Sequence, residues 1–249
     1  MKPLSINLPE LPYAVEEAMN RLRVNIKFCG KNTHKILMTS CLPNEGKSTV
    51  SLYLWKMLAE AGFPTVLVDA DLRKSTMKRR LEMELSEEVK GLNNYISGMA
   101  EVNEVVHETN IPEAYLVPVT QLLENPSALL EDARFKELLD HLAEQYRFVI
   151  IDTPPLGSVS DATLIASMCD GAVLVVRAGD TPKTLIRQSL HEIDQSGCKL
   201  LGTVLNRVEV KSRTYGKYYG KYGSKYGYGY GYGYGYDSQT KEENPKSKS

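Results

Sequence analysis

Five short apolar runs constrain this chain more than any other feature: Lys35–Ser40, Thr65–Asp69, Phe148–Asp152, Ala172–Arg177 and Leu200–Asn206. Each is rich in Val, Ile and Leu without polar alternation, as expected of parallel strands covered on both faces. Ala114–Val119 is a weaker sixth. Helical patterns lie between them, at Gly46–Ala61, Leu129–Gln145 and Lys183–Ser196. Strand alternating with helix predicts right-handed βαβ units and a doubly wound α/β fold, mainly parallel, with helices on both faces. Upstream, Pro12–Cys29 reads as an amphipathic helix with Val15, Met19, Leu22 and Ile26 on one stripe.

The first strand runs into Ser40-Cys41-Leu42-Pro43-Asn44-Glu45-Gly46-Lys47-Ser48-Thr49. This nearly matches the P-loop pattern GxxxxGK[ST], with Cys41 at the first Gly. Backbone N–H groups of such a loop wrap phosphates, and the helix dipole favours their charge. Lys47 is expected at the β- and γ-phosphates, Ser48 at Mg²⁺ and Thr49 at the α-phosphate. Asn44 suits a position that needs positive φ. Two further strand ends carry carboxylates. Asp152 ends FVIID as a Walker B aspartate placed for Mg²⁺; alone, an Asp before Thr153-Pro154-Pro155 would read as a turn residue. Asp69 and Asp71 end VLVDAD, and two residues apart in an extended chain share one side. Together the three signals predict a site for ATP with Mg²⁺, and a P-loop NTPase-like fold.

The body and the tail differ in composition. The chain has 249 residues and net charge −1, yet residues 208–249 carry eight Lys/Arg against four Asp/Glu, leaving −5 on the rest. Ten of fifteen tyrosines and eight of eighteen glycines fall between Tyr215 and Tyr236. Gly-Tyr alternation cannot build a core, so residues 208–249 are predicted to be a disordered tail on a domain of residues 1–207. An ordered edge strand with every Tyr on one face is the lesser alternative. The near-neutral total and only three lysines among the tail tyrosines argue against nucleic-acid binding. Cys29, Cys41, Cys169 and Cys198 are widely spaced with no CxxC pair, which suggests neither a zinc site nor a disulfide framework and suits a reducing cytoplasm. No apolar run reaches the length of a membrane span.

P-loop, DxD strand, IIDTPP strand and tyrosine-rich tail together resemble the bacterial tyrosine kinases (BY-kinases) of capsule and exopolysaccharide synthesis. The nearest form is the separate CpsD/CapB-type kinase rather than the form fused to a membrane protein. The resemblance implies that Asn44, Glu45, Gly46, Lys47, Ser48 and Thr49 hold ATP. It places Asp71 and Asp152 with Ser48 at Mg²⁺, Asp69 as activator of a tyrosine hydroxyl, and Asn206 at the adenine. Leu42 stands where related MinD/ParA-like ATPases carry a signature lysine, which favours the kinase. The family's helix motif E-x-x-R-x-x-R appears here as Glu17, Asn20 and Arg23, implying a homo-oligomeric ring altered at Asn20.

The tail on such a body implies phosphorylation at several of Tyr215, Tyr218, Tyr219, Tyr222, Tyr226, Tyr228, Tyr230, Tyr232, Tyr234 and Tyr236. A Gly-rich coil from Val208 reaches roughly 20 Å at Tyr222 and roughly 30 Å at Tyr236. Both a subunit's own pocket and its neighbour's lie within that range. Further implied are a membrane-anchored activator, an opposing tyrosine phosphatase and a place at the inner face of the membrane through that partner. The alternative is an ATP-binding assembly factor with weak ATPase activity and an unmodified interaction tail. Of the remaining polar residues, Asp161 reads as a helix N-cap. Arg73, Arg177 and Arg207 lie near strand ends, where cations can meet phosphoryl charge.

Overall fold

A computed structural model describes residues 3–208. The tail tyrosines expected as phosphate acceptors lie outside the described residues. The apolar runs form strands β1 (Lys35–Ser40), β2 (Thr65–Asp69), β4 (Ala114–Val117), β5 (Phe148–Asp152), β6 (Gly171–Arg177) and β7 (Leu200–Asn206). A two-residue strand β3 (His107–Glu108) completes a seven-stranded sheet of order β3-β4-β2-β5-β1-β6-β7. All pairings are parallel except β3 with β4.

The central strands are buried because both sheet faces are covered. On one face lie α1 (Tyr13–Lys27), α2 (Lys47–Glu60) and α3 (Met77–Arg80). On the other lie α4 (Leu92–Ile96), α5 (Val102–Val105), α6 (Ser127–Glu131), α7 (Ala133–Gln145), α8 (Asp161–Ala166) and α9 (Lys183–Gln195). Trp55 of α2 is fully buried, and its indole N–H donates to the Thr65 carbonyl at 3.1 Å.

Four expectations are corrected. The pattern over Leu129–Gln145 is two helices, because Asp132 has extended backbone and its carboxylate accepts the Arg134 N–H at 2.9 Å, capping α7. Strand β7 is an edge strand covered on part of its surface only, with Leu205 59% exposed. The α1 stripe is half realised: Met19 and Ile26 are buried, whereas Val15 is exposed. Asp161 does not cap α8 through its side chain; Ser160 occupies that position and the Asp161 carboxylate is used elsewhere. Among the described residues no helix is long and apolar enough to cross a membrane.

Candidate functional site

The site lies where β1 meets α2, at the carboxyl ends of the parallel strands. Two left-handed residues shape the loop, Asn44 at φ 66° and Gly46 at φ 95°. Gly46 is required twice over, since a Cβ there would also meet Asn206 Nδ2 at 2.1 Å. Cys41 has no positive φ, so the first glycine of the P-loop pattern is replaced without backbone strain. Burial pushes the Cys41 thiol up, away from thiolate chemistry.

A cavity of about 440 Å³ opens over this loop. Asn44, Glu45, Gly46, Lys47, Ser48 and Asp71 line it. The other predicted residues stand behind that wall, each bonded to a residue in it. Asp152 accepts from Lys47 Nζ at 2.8 Å, and the Asn206 amide donates to the Glu45 carbonyl at 2.8 Å. Thr49 accepts from Arg80 Nη1 at 2.8 Å, and Asp69 accepts the Asp71 N–H at 3.3 Å. The prediction that Asp69 and Asp71 face the ligand side by side is therefore corrected. β2 ends at Asp69, the chain turns beyond it, and Asp71 alone lines the cavity.

Burial raises two of the carboxylates. Asp69 and Asp152 are register partners on β2 and β5. Burial pushes Asp69 up to about 7, with Asp152 and Asp71 adding to the rise and the Ser75 hydroxyl opposing it. Asp71 is also raised, chiefly by burial, against the pull of Lys47. Neighbouring carboxyls raised by burial are a common arrangement for acid–base chemistry.

Glu45 has a role that the loop pattern did not reveal. The residue is 2% exposed and its carboxylate points into the protein, although Glu45 belongs to the cavity wall. It accepts the Leu42 N–H at 2.8 Å, the Arg177 N–H at 3.3 Å and the Thr181 hydroxyl. The loop is thereby tied to the end of β6, and through Asn206 to the end of β7.

Arg73 also lines the cavity, but its charge is spoken for. It donates to Asp161 at 2.7 and 3.2 Å, to the Ser127 hydroxyl at 2.9 Å and to the Glu124 carbonyl at 2.9 Å. Asp161 is 1% exposed. Burial alone would raise it, but donation from Arg73 and Ser127 outweighs this and holds it below the usual carboxylate range. Arg177 pairs with Asp180, and Arg207 is exposed at φ 54°. Arg80, on α3, was not singled out from the sequence and lines the cavity.

The donor set fits Mg²⁺ better than a metal caged by protein. Ser48, Asp71 and Asp152 offer hard oxygens, and Mg²⁺ retains water and takes phosphate oxygens for the rest. Among the described residues no cluster of three or more His, Cys, Asp or Glu could hold a metal alone.

The residues expected at subunit contacts, Glu17, Asn20 and Arg23, lie on α1 and are each half-buried, with Asn20 where the family motif has Arg. Their spacing of three keeps them on adjacent turns of one side of the helix.

Comparison with known proteins agrees with this architecture. A model described as an AAA domain matches residues 30–195. The tyrosine-protein kinase CpsD of Streptococcus agalactiae is 42% identical over 203 residues, covering 82% of this chain and 88% of the relative. The crystal structure of the chimerical protein CapA2B2 superposes with a TM-score of 0.73 at 30% identity, covering 84% of this chain and 95% of that one. The septum site-determining protein MinD of Pyrococcus horikoshii, complexed with Mg-ADP, shares the fold at a TM-score of 0.61 and 22% identity, over 74% of this chain and 76% of its own. P-loop, strand-end carboxylates and close relatives agree: the chain belongs to the bacterial tyrosine kinases (BY-kinases) of capsule and exopolysaccharide synthesis, in their CpsD/CapB form.

Proposed function

We propose that the protein is an ATP-dependent tyrosine kinase that phosphorylates the tyrosines of its own tail, between neighbouring subunits, and thereby regulates polysaccharide synthesis. The carrying observation is the register pairing of Asp69 with Asp152 directly behind a P-loop whose lysine bonds to Asp152. In this reading the backbone of Asn44–Thr49 and the Lys47 ammonium hold the phosphates of ATP. Ser48, Asp71 and Asp152 hold Mg²⁺, which supplies positive charge to the phosphate oxygens, and Asn206 meets the adenine.

Asp69 takes the proton of the incoming tyrosine hydroxyl. The phenolic oxygen bonds to the γ-phosphorus as the bond from that phosphorus to the β–γ bridging oxygen breaks, leaving ADP. A carboxyl with a pKa of about 7 suits a base at neutral pH. Ser75 covers Asp69 and must turn aside as the acceptor enters. Full modification takes the tail from +4 to roughly −11 to −16, and the resulting repulsion drives ring disassembly. The remaining elements of the proposal are a ring joined through Glu17, Asn20 and Arg23, a membrane-anchored activator beside the nucleotide site and an opposing phosphatase.

The test is mass spectrometry of tail peptides from protein recovered from its own host, beside a Lys47→Ala copy. Phosphotyrosine at positions 215–236 in the parent and none in the variant supports the kinase reading. Unmodified tails in both, with phosphatase disabled and polysaccharide still made, favour the assembly-factor alternative.

A further inference from the structure

The cavity wall holds a cation that is fixed by neutral partners alone. Arg80, the last residue of α3, lines the wall. Its guanidinium is held at two points: Nε donates to the Thr76 hydroxyl at 2.9 Å, and Nη1 donates to the Thr49 hydroxyl at 2.8 Å. Both partners are neutral. No carboxylate among the described residues pairs with Arg80, in contrast to Arg73, which shares the cavity and is neutralised by Asp161.

A guanidinium is a planar fork of five donors, so the two hydroxyls orient Arg80 without using up its donors or balancing its charge. A half-buried cation fixed in an anion-binding cavity gains most when an anion completes its shell. Thr49 indicates which part of the ligand arrives there. It follows Ser48 on the first turn of α2, the position expected at the α-phosphate of a P-loop.

We infer that Arg80 is a nucleotide-binding residue that contacts the α-phosphate oxygens with the donors left free by Thr49 and Thr76. This rests on the nucleotide-binding reading of the cavity. The α-phosphate keeps its charge and bonding through transfer, so the contact strengthens ATP and ADP binding alike and gives no preference for the transition state. That separates it from an arginine acting on the moving phosphoryl group, which would favour the triphosphate.

The experiment is titration of the full-length protein, with Mg²⁺, by ADP and by a non-hydrolysable ATP analogue. Parent, Arg80→Gln, Arg80→Lys and Lys78→Gln are compared; Lys78 is exposed on the same short helix and controls for general charge. Arg80→Gln is expected to weaken both nucleotides by about tenfold or more, by the same factor. Arg80→Lys, which keeps a cation but cannot span both hydroxyls, falls between, and carries the test if Arg80→Gln folds poorly. Lys78→Gln binds like the parent. Parent-like binding by both Arg80 variants, a loss confined to the ATP analogue, or an equal loss in Lys78→Gln would each overturn the assignment. A parent that binds neither nucleotide removes the nucleotide-binding reading itself, and this inference with it.

Discussion

Lys47 and Asp152 face each other at 2.8 Å, with their side chains only 7% and 3% exposed. Ser51 donates to the same carboxylate oxygen at 2.9 Å. The lysine expected at the phosphates is thus held by a carboxylate of β5, and an arriving phosphate must compete for it. Asp152→Asn removes that competitor. Its affinity for ADP without magnesium is expected to rise several-fold, while the gain on adding magnesium shrinks. Fluorescence titrations with EDTA and with Mg²⁺ measure both; an unchanged magnesium effect would place Asp152 outside the metal's reach.

Glu45→Gln tests the buried anchor of the loop. Backbone N–H groups of Leu42 and Arg177 point at opposite oxygens of the carboxylate. A carboxamide has one acceptor oxygen, so its NH₂ must oppose one of these donors. The expected loss of stability is about 1–3 kcal/mol by urea denaturation. Nucleotide affinity falls with it, although the Glu45 side chain points away from the ligand. Stability lost with affinity intact would mean that the loop keeps its shape without the anchor.

The pH dependence of stability reports on Asp69. Its pKa of about 7 in the fold stands above the ordinary 3.8, so between those values the folded protein holds a proton that the unfolded chain has released. Stability from this group is complete below the lower value and is lost as pH rises through the higher one. Asp69→Asn stays neutral, and its denaturation midpoint is expected to fall less between pH 4 and 8 than the parent's. Asp71 is raised in the same direction, so some slope remains. Parallel profiles for parent and variant would show that Asp69 ionises like an exposed carboxylate.

Asp161→Ala isolates the tie between the β2 end and α8. It leaves the Arg73 guanidinium with neutral partners and Ser127 without its acceptor. Loss of the charged hydrogen bonds, with Arg73 still partly solvated, is expected to cost about 1–3 kcal/mol. Thermal unfolding measures this, and a shift no larger than that of an exposed ion pair would contradict the burial.

The strands were legible because their apolar runs are unbroken and sit between helical patterns; β1, β2, β5 and β7 have the predicted ends. Strand β3 has two residues, too few to carry a pattern, and α3 to α6 have four or five, barely more than one turn. The break between α6 and α7 depends on Asp132 choosing to cap, which periodicity does not record. At the site, the loop and Asp152 at the end of β5 followed from local spacing, whereas the turn after β2 separates Asp71 from Asp69. Arg73 with Asp161, 88 positions apart, and Glu45 with Thr181, 136 apart, did not, because folding alone brings them together.

The grip of β6 and β7 on Glu45 bears on the order in which the molecule is made. A ribosome delivers the P-loop sequence early, but the bonds that hold the loop come from Arg177, Thr181 and Asn206. A nascent chain therefore has no anchored phosphate loop until the end of the last strand has emerged. The residues that follow Asn206 in the chain, already synthesised when it emerges, are those of the tyrosine-rich tail. Anchored loop and tail are completed within one short interval of synthesis, and a chain arrested before Asn206 has neither.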